Sequence, residues 1–210
     1  MMDDSAIYDA RTELVDFVIE VFWDVPDREF VESLLAGDVV VPDGHVNDAL
    51  DEGFDVLQSY IEANQGRPLD ELHEELEVEY TRVFVGPRPP VLPHESYYRD
   101  DTDYMGQGLA DVEASYAAAG WTPPENYPEE NDFVAVELAF LRWIIGRQAT
   151  GAEEAFGYER VFLDEHLTTW VGEFVDDVLD ETDDDLFRAA ALVLQGLVEF
   201  EDELVAQMAR

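Results

Sequence analysis

The sequence predicts an all-α fold, a helical bundle of about seven to nine helices forming one domain over residues 1–210. Three observations carry this prediction. Apolar residues recur in steps of three and four along most of the chain. No segment alternates at period two for long enough to make a strand. One segment, beginning at Asp132, is apolar almost all round, as a helix at the centre of a bundle must be. At 210 residues, 47% hydrophobic and 12% aromatic, the chain has the length and the apolar surface for one sizeable core.

The elements follow in order. Ser5 is placed to cap a first helix, with Ile7, Ala10, Leu14, Phe17, Val18, Val21 and Phe22 on one face. Pro26-Asp27 restarts a short helix over Phe30, Val31, Leu34 and Leu35, closed by Gly37. After Val39-Val40-Val41-Pro42, a third helix runs from about Val46 to Ile61 with Ala49, Leu50, Phe54 and Leu57 inward. Gly66-Arg67-Pro68 is a turn with proline near the next helix start. Leu69, Leu72, Leu76, Tyr80, Val83 and Phe84 continue the helical spacing. Gly106 to Ala119 reads as a helix with Leu109, Val112 and Tyr116 inward, capped by Gly120-Trp121. The apolar helix from Asp132 ends at Thr150-Gly151. One further helix spans about Tyr158 to Asp180, and Asp184 or Asp185 caps the last, Leu186 to Met208. Two proline-rich loops, 86–104 and 121–131, flank the helix ending at Ala119.

The charge is extreme, with 51 acidic residues against 11 basic ones and a formal net charge of −40. Every basic residue is Arg; there is no Lys. Such a chain repels itself unless salt shortens the screening length, from ~10 Å at 0.1 M to ~3 Å at 1 M. This composition predicts a halophile cytoplasm, and most acidic runs read as solvated surface. Nucleic-acid binding is disfavoured for want of basic residues. No run reaches the ~18–20 apolar residues of a membrane span, and Met1-Met-Asp-Asp4 lacks a signal peptide's basic and apolar regions. The chain has no Cys, which removes disulfides and thiolate ligands. His45, His73, His94 and His166 lack metal-ligand spacing on one helix face, so no metal site is predicted. Gly106-Gln-Gly108 has neither the preceding strand nor the Lys-Ser/Thr of a phosphate loop.

The stretch from Glu79 to Tyr98 organises the chain. A helix runs into Gly86-Pro87 and stops, and a stiff proline-spaced segment follows, with Val91, Leu92, Tyr97 and Tyr98 expected to be exposed or half-packed. A pre-stiffened apolar loop loses little entropy on binding, which suits a surface that receives another chain.

Four segments carry a family resemblance. Tyr80-x-x-Val83-Phe84-x-Gly86-Pro87, Pro93-His94-Glu95-Ser96-Tyr97-Tyr98, Glu130-x-Asp132-x-x-x-x-Glu137-Leu138-x-Phe140-Leu141, and Phe162 to Phe174 with His166-Leu167 and Trp170 occur in order over residues 80–174. In this pattern the chain resembles the TorD/DmsD/NarJ redox-enzyme maturation chaperones. Phe133 departs from the family, which usually has His after the Asp; Val83 for Leu and Tyr80 for Trp are milder changes. The resemblance implies an all-helical chaperone without catalytic chemistry or cofactor. Its partner would be the N-terminal twin-arginine signal peptide and apo body of a molybdopterin oxidoreductase subunit. It would act in the cytoplasm, before export, as a monomer or domain-swapped dimer.

The candidate peptide-binding residues are Tyr80, Val83, Phe84, Gly86, Pro87, Pro93, Glu95, Ser96, Tyr97, Asp132, Phe133 and Glu137. Tyr80, Val83 and Phe84 fit a buried helix face and equally the wall of an apolar groove. Asp132 fits an N-cap, or with Glu95 a receptor for paired arginines. Glu137 is expected to pair internally with Arg82 or Arg142. The alternatives are a helical regulatory or scaffolding module with another partner, and an enzyme using Glu95, Asp132 and Glu137 as a carboxylate site.

Overall fold

The computed structural model describes residues 4–37, 44–99, 107–124 and 129–208. Val39-Val40-Val41-Pro42, Gly106 and Pro128 lie outside these. Among the described residues there are ten α-helical segments and no strand, so the fold is all-α. They are α1 (Asp4–Phe22), α2 (Arg28–Ala36), α3 (Asp48–Asn64), α4 (Leu69–Tyr80), the single turn α5 (Glu95–Tyr98), α6 (Gln107–Ala119), α7 (Val134–Ala149), α8 (Glu154–Phe162), α9 (Thr168–Glu181) and α10 (Asp185–Met208).

Local chemistry sets most boundaries. Asp27 accepts from the Phe30 N–H and Asn47 from the Leu50 N–H, capping α2 and α3. Asp184 Oδ1 accepts from the Leu186 N–H at 2.9 Å and so starts α10. Gly120 ends α6 at φ 78°; its N–H donates to Ala117 while the Trp121 N–H donates to Tyr116, a Schellman cap. The Tyr116 and Trp121 rings then meet at 4.8 Å, closing the apolar contact that accompanies such caps.

Helix α10 lies against α1, α3, α9 and α8, while α7 packs on α1 and α8. The α3–α10 approach is close because two glycines permit it. A Cβ on Gly196 would fall 2.6 Å from the Leu50 backbone nitrogen, and one on Gly53 would fall 2.9 Å from Val193. Buried side chains from α1–α4 and α6–α10 form one continuous apolar cluster, joined by Val91 from the proline loop.

Four expectations need correction. Helix α1 contains Ser5 within its first turn rather than at its cap. Ala10 is exposed, and Arg11 takes the inward position, 2% exposed. The predicted helix 158–180 is interrupted by a π-helical turn, Leu163–Leu167, and a second π turn, Thr81–Val85, follows α4. Val91 is fully buried, because its N–H donates to the Val83 carbonyl and draws the loop onto the core.

Arg11 forms the core's main polar knot. Its guanidinium bonds Glu201 of α10 at 2.6–3.0 Å, Gln148 of α7 at 2.8 Å and Glu159 of α8 at 2.7 Å. Two carboxylates face one cation here. Burial, and then the Glu201 charge, push the Glu159 carboxyl up to about 8 in spite of Arg11.

Candidate functional site

The π turn after α4 shapes the first cleft. The Gly86 N–H donates five residues back to the Thr81 carbonyl at 2.7 Å. A Cβ at Gly86 would sit 3.2 Å from that oxygen, so the turn favours glycine at this exit. The widened turn puts the consecutive residues Val83 and Phe84 into the core. Phe84 packs against Phe22, Tyr80 and Phe187 with centroids 5.2–5.7 Å apart. The Tyr80 hydroxyl donates to the Phe22 carbonyl at 3.0 Å.

The end of the proline loop is stitched to the start of α7. The Glu95 N–H donates to the Asp132 carbonyl at 3.0 Å, and the Val134 N–H to the Pro93 carbonyl at 2.9 Å. His94 and Phe133 form an antiparallel bridge there, and their rings meet edge-on at 5.2 Å. Asp132 reinforces the stitch: Oδ2 accepts from the Ser96 N–H at 3.1 Å and Oδ1 lies 3.1 Å from His94 Nδ1. Burial raises the Asp132 carboxyl, but the bonds from His94 and Ser96 outweigh it and hold the group below its ordinary range. Helix α7 starts at Val134 with Phe133 at the cap position. Asp132 is therefore not the expected cap of α7; its carboxylate serves α5 instead.

These elements enclose a cleft of about 940 Å³. Tyr80, Phe84, Gly86, Pro93, Ser96, Tyr97, Asp132 and Phe133 all line it, together with Trp23, Leu92 and Leu109. Asp24, Glu129 and Glu130 add carboxylates, and among the described residues the lining holds no Arg. Both proline loops contribute, through Pro89 on one side and Glu129-Glu130 on the other. At the mouth, Val85 and Tyr97 are exposed by 61% and 64%, which leaves two large apolar side chains in water.

The remaining candidates lie elsewhere. Val83 is fully buried behind the wall, and Pro87 is exposed without lining the cleft. Glu95 and Glu137 are both wholly buried. Glu95 faces away from the first cleft, accepting from Arg99 Nη1 at 2.6 Å and contacting His166 Nδ1 at 2.9 Å. Glu137 pairs with neither expected arginine. Arg82 holds Glu79 and the Glu181 carbonyl, and Arg142 holds Asp16. Glu137 Oε2 accepts instead from Trp170 Nε1 at 3.3 Å, and Oε1 has no hydrogen-bond partner among the described residues. Burial, followed by the Glu95 charge, pushes the Glu137 carboxyl well above its ordinary range. Among the described residues, no group of three His, Asp or Glu side chains converges to hold a metal.

A second cleft, of about 640 Å³, opens on the other side of α5. Arg99, Ser115, Phe140, Tyr158, Phe162 and His166 are among its lining. The π turn 163–167 turns His166 inward to 1% exposure, and Ser115 Oγ lies 2.9 Å from His166 Nε2. The sequence reading missed Ser115, Arg99 and Arg11. For Arg11 a signal existed: it shares a helical stripe with Val15, Val18 and Phe22 in a chain with few cations.

The fold and the paired loops define an all-helical protein with an acid-rimmed apolar cleft. A model of the family described as nitrate reductase delta subunit matches residues 45–176, and the chain belongs to this NarJ/TorD-like family of molybdoenzyme maturation chaperones. No curated protein matches the chain. No helix among the described residues is long and apolar enough to cross a membrane.

Proposed function

We propose that the protein is a chaperone that captures the N-terminal signal peptide and apo form of a molybdopterin oxidoreductase catalytic subunit. It holds that subunit while cofactor is inserted, before twin-arginine export. The single observation that supports this most is the first cleft, with an aromatic and proline wall, a carboxylate rim and no Arg among its described lining residues. An apolar segment with a basic end complements such a surface.

In this reading Tyr80, Phe84, Gly86, Pro93, Ser96, Tyr97 and Phe133 form the apolar and backbone wall. Val83 and Pro87 support it from behind and from the loop. Asp132 has its oxygens committed to His94 and Ser96, and Glu95 and Glu137 are buried; these three hold the wall in shape. Asp24, Glu129 and Glu130 are the rim carboxylates that would meet arginines, Glu129 lying 3.6 Å from His94 Nε2 and Asp24 accepting from the Val25 N–H. Charge-assisted contacts there outlast screening only at short range in molar salt.

Fluorescence anisotropy tests the proposal, with a labelled peptide carrying paired arginines and an apolar run, in 2 M KCl, where ~2 M keeps screening lengths near a contact distance. Saturable binding, weakened when the arginines become glutamines, is the expected result. Absence of saturable binding would reject it.

A further inference from the structure

We propose that Ser115 is a reactive nucleophile, activated by His166 and Glu95, that accepts acyl groups from short-chain esters seated in the second cleft. Ser115 and His166 do not line the first cleft, and Glu95 is the one residue shared with the wall of that site, so Ser115→Ala separates the two readings.

The geometry is that of a nucleophile, a base and an orienting carboxylate. Ser115 Oγ lies 2.9 Å from His166 Nε2, and His166 Nδ1 lies 2.9 and 3.1 Å from the two oxygens of Glu95. Arg99 binds Glu95 Oε1 at 2.6 Å and fixes the carboxylate as an acceptor. Nδ1 therefore carries the ring proton toward Glu95, which leaves the Nε2 lone pair for the serine hydroxyl. Base and carboxylate are shielded from water, at 1% and 0% exposure. Ser115 is half-buried and lines the cleft, so an incoming ligand reaches it. Phe140, Phe162 and Val161 supply an apolar floor for a short acyl chain, and Arg99, already engaged with Glu95, lines the same cleft.

The step balances without a further reactant. Ser115 Oγ attacks the ester carbonyl carbon, its proton passes to His166 Nε2, and the C–O bond to the leaving alkoxide breaks. The alkoxide takes the proton from His166 and departs as the alcohol. Water then repeats the sequence on the acyl-serine, releasing the acid and restoring the hydroxyl.

The simpler account, a hydroxyl that only satisfies a buried imidazole, has the same static geometry but differs in reactivity. The test treats the full chain, in molar KCl, with a fluorophosphonate, whose P–F bond breaks as the Ser Oγ–P bond forms. The expected result is one adduct per chain, mapped to Ser115 and absent in Ser115→Ala. Ser115→Ala should keep its thermal midpoint and its peptide affinity in the first cleft. Glu95→Gln should slow labelling by about 10²-fold, the scale of a positioned acid–base pair. Should that variant not fold, the wild-type labelling rate must still exceed that of denatured protein by the same factor. No adduct, an adduct at another residue, or labelling of Ser115 at the denatured rate would overturn the proposal.

Discussion

The backbone of Glu95 donates to the carbonyl of Asp132 at 3.0 Å, while the Asp132 side chain receives the next N–H, that of Ser96, at 3.1 Å. This two-point clasp joins the proline loop to the head of α7 and sets the width of the first cleft. Asp132→Ala removes the carboxylate and leaves two donors unanswered; hydrogen bonds to charged groups contribute ~1.5–3 kcal/mol each. The expected outcome is a loss of roughly 3–5 kcal/mol in chemical denaturation, with weaker peptide binding as a consequence. Because the folded Asp132 carboxyl lies below its ordinary value, its contribution is fully present above the unfolded value near ~3.9 and is lost as pH falls through the folded one.

Arg11 sits between Glu201, Glu159 and Gln148 with almost no exposure. Removing one partner of a buried ion pair leaves an uncompensated charge at a cost of ~3–5 kcal/mol. Arg11→Ala should lower the thermal midpoint by roughly 10 °C or more, given ~2–4 °C per kcal/mol for a chain of this size. Wild-type stability should also fall as pH rises from about 4.5, the ordinary Glu value, to about 8, where folded Glu159 ionises. The folded state binds the extra proton across that interval. Thermal denaturation over the same range checks both outcomes.

Glu137 offers a sharper pH probe. Burial and the neighbouring Glu95 charge both push its carboxyl toward the neutral form, so a neutral isostere should fit. Glu137→Gln should keep the wild-type thermal midpoint within a few degrees at low pH and flatten the decline in stability as pH rises above the ordinary Glu range. A large loss at pH 5 would show that the charged form is the native one.

The net charge of −40 predicts salt-dependent folding. Lowering KCl from about 2 M to 0.1 M lengthens the screening distance from below ~3 Å to ~10 Å and exposes the surface to its own repulsion. The thermal midpoint should fall by on the order of 10 °C, followed by circular dichroism at 222 nm.

Much of the fold was legible in the sequence because helix faces write themselves at intervals of three and four. Asp27, Gly37, Asn47, Gly120 and Asp184 all sit at helix boundaries, and the first two, Gly120 and Asp184 were read as such from the chain alone. The π turns were not legible, since one extra residue in a turn barely disturbs an apolar pattern; yet they aim Phe84 and His166. The eight cleft residues were found through motif likeness, and their convergence needed the fold. Glu137 was misassigned because spacing cannot tell a salt bridge from a protonated carboxyl, and only burial decides that. Arg11 was not legible because an apolar stripe alone does not say that a cation within it is buried with partners from α7, α8 and α10.

Whether the first cleft receives a client peptide is tested at Tyr97. Phe84 is unsuitable, since it is buried in an aromatic cluster and its truncation would cost ~3–5 kcal/mol of stability. Tyr97 is 64% exposed at the mouth, so Tyr97→Ala should leave the thermal midpoint within a degree or two. The measurement is peptide affinity by anisotropy in molar KCl for wild type and Tyr97→Ala. If the cleft receives the peptide, affinity falls by about tenfold, or ~1.4 kcal/mol; equal affinity in the two proteins would rule that role out.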